Sequence, residues 1–142
     1  MTIRNEGIKE LIPQREPFMM VDEFEQTGDN RATTGLTIGC DNYFILPGGE
    51  MAESGLIEHM AQSSAALVGW QTKSINNGQP RIGLIGEVKH FECLRRPKVG
   101  DALTTDIEFG LSFGNVTMAT GNSKIGEEVI ATIQMKIFMQ DV

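Results

Sequence analysis

The 142-residue chain carries 12 Lys and Arg against 19 Asp and Glu, and its formal charge of −7 repels nucleic acid and anionic membrane as long-range partners. With 40% hydrophobic and 22% charged residues the composition is that of a folded protein, and the length fits one domain, residues 1–142, rather than two independent cores. No apolar run reaches the length of a bilayer-spanning helix, Met1 to Glu10 lack the apolar centre of a secretion signal, and the two cysteines, Cys40 and Cys93, lie far apart. The sequence therefore points to a cytoplasmic protein with two packing thiols and neither a disulfide nor a metal site.

In chain order, a short amphipathic helix is expected over Gly7 to Ile12, stopped by Pro13. A strand follows, in which Phe18, Met20, Asp22 and Phe24 alternate with Met19, Val21 and Glu23. Gly28-Asp29-Asn30 turns the chain, and Ala32, Thr34, Leu36 and Ile38 return with the same period of two, as in a hairpin. Asp22 falls on the apolar face of its strand. It is expected either to pair with a cation such as Arg15, the favoured reading, or to sit exposed at a bulge.

From about Glu50 to Trp70 the period becomes helical: Ile57, Ala61, Ser64 and Val68 form one stripe, with Leu56, Met60 and Leu67 beside it. Glu50 and Glu53 suit the positive N-terminal end. The run Ala61, Ser63, Ser64, Ala65, Ala66 offers little apolar area but permits close approach, which predicts a helix pressed against a sheet. After an Asn76 to Pro80 loop the rest reads as strands. Leu103, Thr105, Ile107 and Phe109 share a face, Gly114-Asn115 turns, Val116 to Lys124 returns, Gly126 turns again, and Val129, Ala131, Ile133, Met135, Ile137 and Met139 line the last strand. The pattern is α+β, one antiparallel sheet wrapped around one long helix. The methionines, including Met19, Met20, Met118, Met135 and Met139, read as core or as the lining of an acyl-sized cavity.

Glu58 stands out chemically. A carboxylate among Leu56, Ile57, Met60 and Ala61 must be paired or hold its proton more tightly, as a general acid does, unless it simply faces solvent. Gln62 lies one turn on and can orient it. Main-chain N–H groups near Glu53, Ser54 and Gly55, at the helix start, can polarise a carbonyl. His59 points about 100° away from Glu58 and reads as structural. His90 reads as a surface or packing histidine, and Tyr43 as a ligand hydrogen-bonder or a buried ring with a satisfied hydroxyl. Arg95, Arg96 and Lys98 form the one local basic cluster: a solvated loop, or a landing site for an acidic carrier protein or a cofactor phosphate. No Gly-rich phosphate motif or metal spacing implies a cofactor.

Three strings carry a resemblance. Leu11-Ile12-Pro13-Gln14-Arg15-Glu16-Pro17-Phe18-Met19-Met20-Val21-Asp22 resembles the P-H-R-x-P-F-L-L-V-D opening of bacterial 3-hydroxyacyl-[acyl-carrier-protein] dehydratases. Glu58-His59-Met60-Ala61-Gln62 resembles their E-A-M-A-Q helix, and Arg96-Pro97-Lys98-Val99-Gly100-Asp101-Ala102-Leu103 their R-P-V-x-P-G-D-x-L segment. The resemblance implies a hotdog fold, two sheets joined edge to edge in a homodimer or heterodimer, and substrate tunnels along the subunit interface. It also implies a histidine that removes the proton beside the thioester carbonyl while the carboxyl group at 58 protonates the departing hydroxide. In the loop where that histidine belongs, this chain reads Asn42-Tyr43-Phe44-Ile45-Leu46-Pro47-Gly48-Gly49, with Phe44 at the histidine position.

The departure resembles a divergent branch of dehydratase-like proteins from aryl polyene pathways, where partner dehydratase subunits occur. The resemblance thus implies a dehydratase, or a dehydratase subunit, acting on an acyl group carried by acyl carrier protein or coenzyme A. Glu58 and Gln62 are the expected catalytic pair, Tyr43, Phe44, Ser54 and Gly55 the expected substrate contacts, and Arg95, Arg96 and Lys98 the expected carrier dock. The alternatives are a non-catalytic partner subunit and a hotdog thioesterase.

Overall fold

A computed structural model describes residues 1–75 and 81–141; the expected Asn76 to Pro80 loop lies outside them. Seven strands form one antiparallel sheet: β1 (Thr2–Arg4), β2 (Glu23–Gly28), β3 (Arg31–Thr37), β4 (Arg81–Cys93), β5 (Ala102–Phe113), β6 (Val116–Ile125) and β7 (Glu128–Asp141), in spatial order β1-β2-β3-β5-β6-β7-β4. The single α-helix among the described residues, α1 (Glu53–Ile75), lies between β3 and β4 in sequence and packs on one face of the sheet. Inward-facing Ala32, Ile107, Ala119, Ile133, Met135 and Ile137 meet Met60, Ala66, Leu67 and Val68 of α1 in the main core. A second cluster, built on Met20, Leu36, Ile38, Met51, Leu56, Leu103 and Ile130, closes the end of the molecule where α1 begins.

The hairpin, the meander and the small-residue helix form as their periodicities predict, with three differences of physical origin. The N-terminal helix is a 3-10 turn over Asn5–Glu10 rather than Gly7 to Ile12. So short a segment has too few residues to repay an α-helical nucleus, and it is anchored instead by burial of Ile8, Leu11 and Ile12. Arg15 donates to the carbonyls of Ile12, Gln14 and Lys9 at 2.8, 2.8 and 3.1 Å, closing this turn. It does not pair with Asp22, whose Oδ2 accepts the Thr37 N–H at 2.8 Å. Desolvation raises the Asp22 carboxyl, partly opposed by that bond.

The second difference is that the strand expected from Phe18 begins only at Glu23. Met20 and Val21 are both buried, so the chain there does not alternate, and both main-chain groups of Met20 are met by side chains of α1. The third is the placement of α1, three residues later at its start and five later at its end than the Glu50 to Trp70 pattern. Glu50 and Met51 are held extended by bridges to Lys98 and Ile45. Gly69 does not stop the helix, because its missing side chain is what lets α1 rest on the carbonyl of Leu11. Cys93 is half-buried while Cys40 is exposed, so only one of the two free thiols packs.

Candidate active site

The first turns of α1 carry three polar side chains, Glu58, His59 and Gln62, and bring Glu58 and Gln62 together. Gln62 is fully buried. Its Oε1 accepts the Met20 N–H at 2.7 Å, and its Nε2 donates to the Phe18 carbonyl at 2.6 Å and to Glu58 Oε2 at 2.8 Å. An amide has two donor hydrogens, and both are committed here. Glu58 itself is half-buried, and the Gln62 amide is the partner of its carboxylate.

His59 points away from Glu58 into the helix–sheet interface and is fully buried. Nδ1 lies 2.6 Å from the Met20 carbonyl and Nε2 2.7 Å from Thr105 Oγ1, which is 2.6 Å from Ser123 Oγ. A carbonyl can only accept, so Nδ1 carries the proton. Nε2 then accepts from Thr105, and Thr105 from Ser123. Burial pulls the imidazole down from 6.5 to about 4, partly opposed by the bond to Met20, so it is neutral at physiological pH.

The sequence reading missed the hydroxyl half of this arrangement. Thr34, Thr105 and Ser123 are direct cross-strand partners on β3, β5 and β6, and Ser63 completes the layer by bonding Thr34 at 2.7 Å. The visible signal was a hydroxyl residue at an inward position of each of three strands, flanked on that face by apolar residues on β3 and β5.

Phe18, whose carbonyl Gln62 holds, is 47% exposed and stacks edge-on against Tyr43, 59% exposed, at 4.8 Å between ring centres, and Tyr43 stacks against Phe44 at 5.2 Å. Tyr43 is thus an open aromatic surface rather than a buried ring. Phe44 lies over the first turn of α1, where a side chain on Gly55 would come within 2.6 Å of its Cβ. The Gly55 N–H donates to the Ala52 carbonyl at 2.9 Å, and Ser54 is exposed beside it. Of the three basic residues, Arg95 pairs with Glu128 at 2.8 Å and Arg96 with Glu53 at 3.4 Å, while the Lys98 side chain has no ion pair among the described residues. Their loop is tied to the segment leading into α1 through Met51 N–H to Pro97 O and Val99 N–H to Gly49 O. His90 is exposed on β4, at the sheet edge.

The family model for ApeP-like dehydratases matches residues 6–142. The chain belongs to the ApeP-like dehydratase family. Curated relatives include the 3-hydroxyacyl-[acyl-carrier-protein] dehydratases FabZ of Natranaerobius thermophilus, 27% identical over 90% of this chain and 91% of the relative, and of Syntrophomonas wolfei, 28% identical over 92% and 91%. A solved chain of the dehydratase heterocomplex ApeI:P from Xenorhabdus doucetiae superposes with a TM-score of 0.85 over 94% of this ApeP-like chain and 91% of that one, at 17% identity. A hypothetical thioesterase from Streptococcus pneumoniae solved with coenzyme A superposes at 0.65 over 83% and 84%, at 14% identity. The ApeP-like chain therefore has the hotdog architecture that its three motifs imply. Among its described residues no helix is long and apolar enough to cross a membrane.

Proposed function

We propose that this chain is a single-domain cytoplasmic protein, the Glu58-bearing subunit of a 3-hydroxyacyl-thioester dehydratase acting on carrier-bound acyl groups in fatty acid or polyene-type biosynthesis. The observation that carries the proposal is the Glu58 carboxyl held by Gln62, whose amide also holds the main chain of Phe18, the first ring of an open aromatic row, with Phe44 where the family's proton-abstracting histidine belongs. In the reaction a base removes the proton from C2, the C2=C3 bond forms as the C3–O bond breaks, and Glu58 delivers its proton to the departing hydroxide so that water leaves. Phe44 has no proton to exchange and His59 is sealed in the core, so the base comes from a second hotdog chain paired with this one. Tyr43 and Phe44 then supply an apolar wall for the acyl group, and Ser54 and Gly55 line its approach at the start of α1. Arg95, Arg96 and Lys98 offer exposed cations to an acidic carrier, in competition with Glu128 and Glu53 for the two arginines.

The test is co-purification with hotdog dehydratases encoded beside this chain, followed by assay of water loss from 3-hydroxyacyl carrier-protein thioesters. Activity in the pair that Glu58→Gln in this chain abolishes supports the proposal. Activity that survives Glu58→Gln makes this chain a non-catalytic partner. Release of free thiol without loss of water makes it a thioesterase, with Glu58 activating water.

A further inference from the structure

We infer that His59 is a positioning residue for Glu58, acting through the main chain of Met20 and the amide of Gln62; only its catalytic consequence rests on the dehydratase reading. Two successive polar residues of α1 grip the same residue from both sides. His59 Nδ1–H holds the Met20 carbonyl at 2.6 Å, and Gln62 Oε1 holds the Met20 N–H at 2.7 Å. Gln62 in turn reaches Glu58 Oε2 at 2.8 Å. The protons along the path have only one consistent arrangement: Ser123 to Thr105, Thr105 to His59, His59 to Met20, then Met20 to Gln62 and Gln62 to Glu58. Reversing the Gln62 amide would set its NH2 against the Met20 N–H and its oxygen against the Phe18 carbonyl, leaving buried groups unsatisfied. Oε2 of Glu58 therefore always accepts here, and a proton on this carboxyl is carried by Oε1.

Packing alone does not call for this imidazole. The related E-A-M-A-Q string has alanine at the position of His59, and an alanine there would need no hydroxyl partners. Here the ring is fully buried together with Thr105 and Ser123, which serve it from two strands. Buried polar groups cost stability unless every one is satisfied. What the arrangement provides in return is a fixed Met20, and with it a fixed orientation of the amide that addresses Glu58.

The experiment follows solvent exchange of the Gln62 side-chain amide protons by NMR in the full chain. It then measures kcat and KM of each variant in the pair with its dehydratase partner. His59→Ala is expected to accelerate Gln62 exchange about tenfold, the equivalent of one lost buried hydrogen bond, and to lower kcat with KM unchanged. His59→Asn, whose amide nitrogen can donate to the Met20 carbonyl, restores both. Ser64→Ala removes a buried hydrogen bond to Met60 O on the same helix that does not lead to Met20, and leaves both unchanged. Where His59→Ala does not fold, Thr105→Val removes the donor to Nε2 and carries the same expectation. Wild-type exchange in His59→Ala, or equal acceleration in all the variants, overturns the inference. The expected exchange pattern without dehydration by any pairing leaves the positioning intact and overturns the dehydratase reading instead.

Discussion

At the scale of the residue, Glu58 and Gln62 differ in what they can do with a proton, and a near-isosteric change separates chemistry from stability. Glu58→Gln preserves volume and leaves an amide oxygen for Gln62 Nε2 to address, so thermal stability stays within about 0.5 kcal/mol of wild type. Dehydration by the paired enzyme falls by about 10² to 10⁴, the contribution of a positioned general acid; melting curves and initial rates check both. His59 makes the opposite case, a buried base that affects stability through pH. Its folded-state value of about 4 lies below the ordinary 6.5, so between these values the unfolded chain binds a proton that the folded chain refuses. The stability it contributes is complete above pH 6.5 and is lost as pH falls toward 4, with a total near 3 kcal/mol. Denaturant titrations of wild type and His59→Asn across that range should diverge by this dependence. Taking the difference removes the opposing trend from Asp22, whose raised carboxyl favours the folded state as pH falls.

At the scale of the element, the length and position of α1 depend on what it may touch. Gly69 is the one residue of its run without a side chain where the helix crosses the Leu11 carbonyl, and a methyl group there would overlap the carbonyl oxygen, which is backbone and cannot swing aside. Gly69→Ala gains about 1 kcal/mol of helix propensity but loses about 3 kcal/mol or more to overpacking. The net result is a lower denaturation midpoint at unchanged slope. The same residue shows where the sequence was legible and where it was not. Period-two strands and a small-residue helix are local patterns, so the meander from Ala102 and the buried Ser63, Ser64, Ala65 and Ala66 were readable in advance. The segment from Phe18 to Asp22 was not, because the Phe18 carbonyl and both main-chain groups of Met20 are satisfied by Gln62 and His59, some forty positions away. In the last strand Ile130 breaks the alternation: it is fully buried next to Ala131, at a bulge where Ser123 faces Ala131 and Lys124 faces Val129. Its carbonyl turns to the N–H groups of Leu94 and Arg95, a long-range demand that no local period encodes. Glu58 and Gln62 were legible as a pair one turn apart. The Thr105 and Ser123 supports of His59 were not, since their register across β5 and β6 exists only once the sheet has formed.

At the scale of the whole molecule, the sheet ends in a long strand whose outer edge has no neighbour among the described residues. β4 pairs only with β7. Ile85 and Val88 lie opposite Ile137 and Met135, and so face the helix side of the sheet, yet each remains 37% exposed where their β7 partners are almost fully covered. Inward-facing apolar side chains left open beside an unpaired edge are what a second hotdog chain would cover, by extending the sheet and laying its own helix alongside. Val88→Lys places a charge in that seam while β4 keeps its pairing with β7, because a long lysine at an edge can reach solvent. Sedimentation should then report a monomer in place of the pair that the proposed function expects of the wild type, and the melting temperature should lose its dependence on protein concentration. On the proposed function, in which a second chain supplies the base that Phe44 cannot, dehydration should disappear together with the association. A Val88→Lys protein that still sediments as the pair would place the association on another surface, and one that is monomeric yet active would show that this chain carries a complete site.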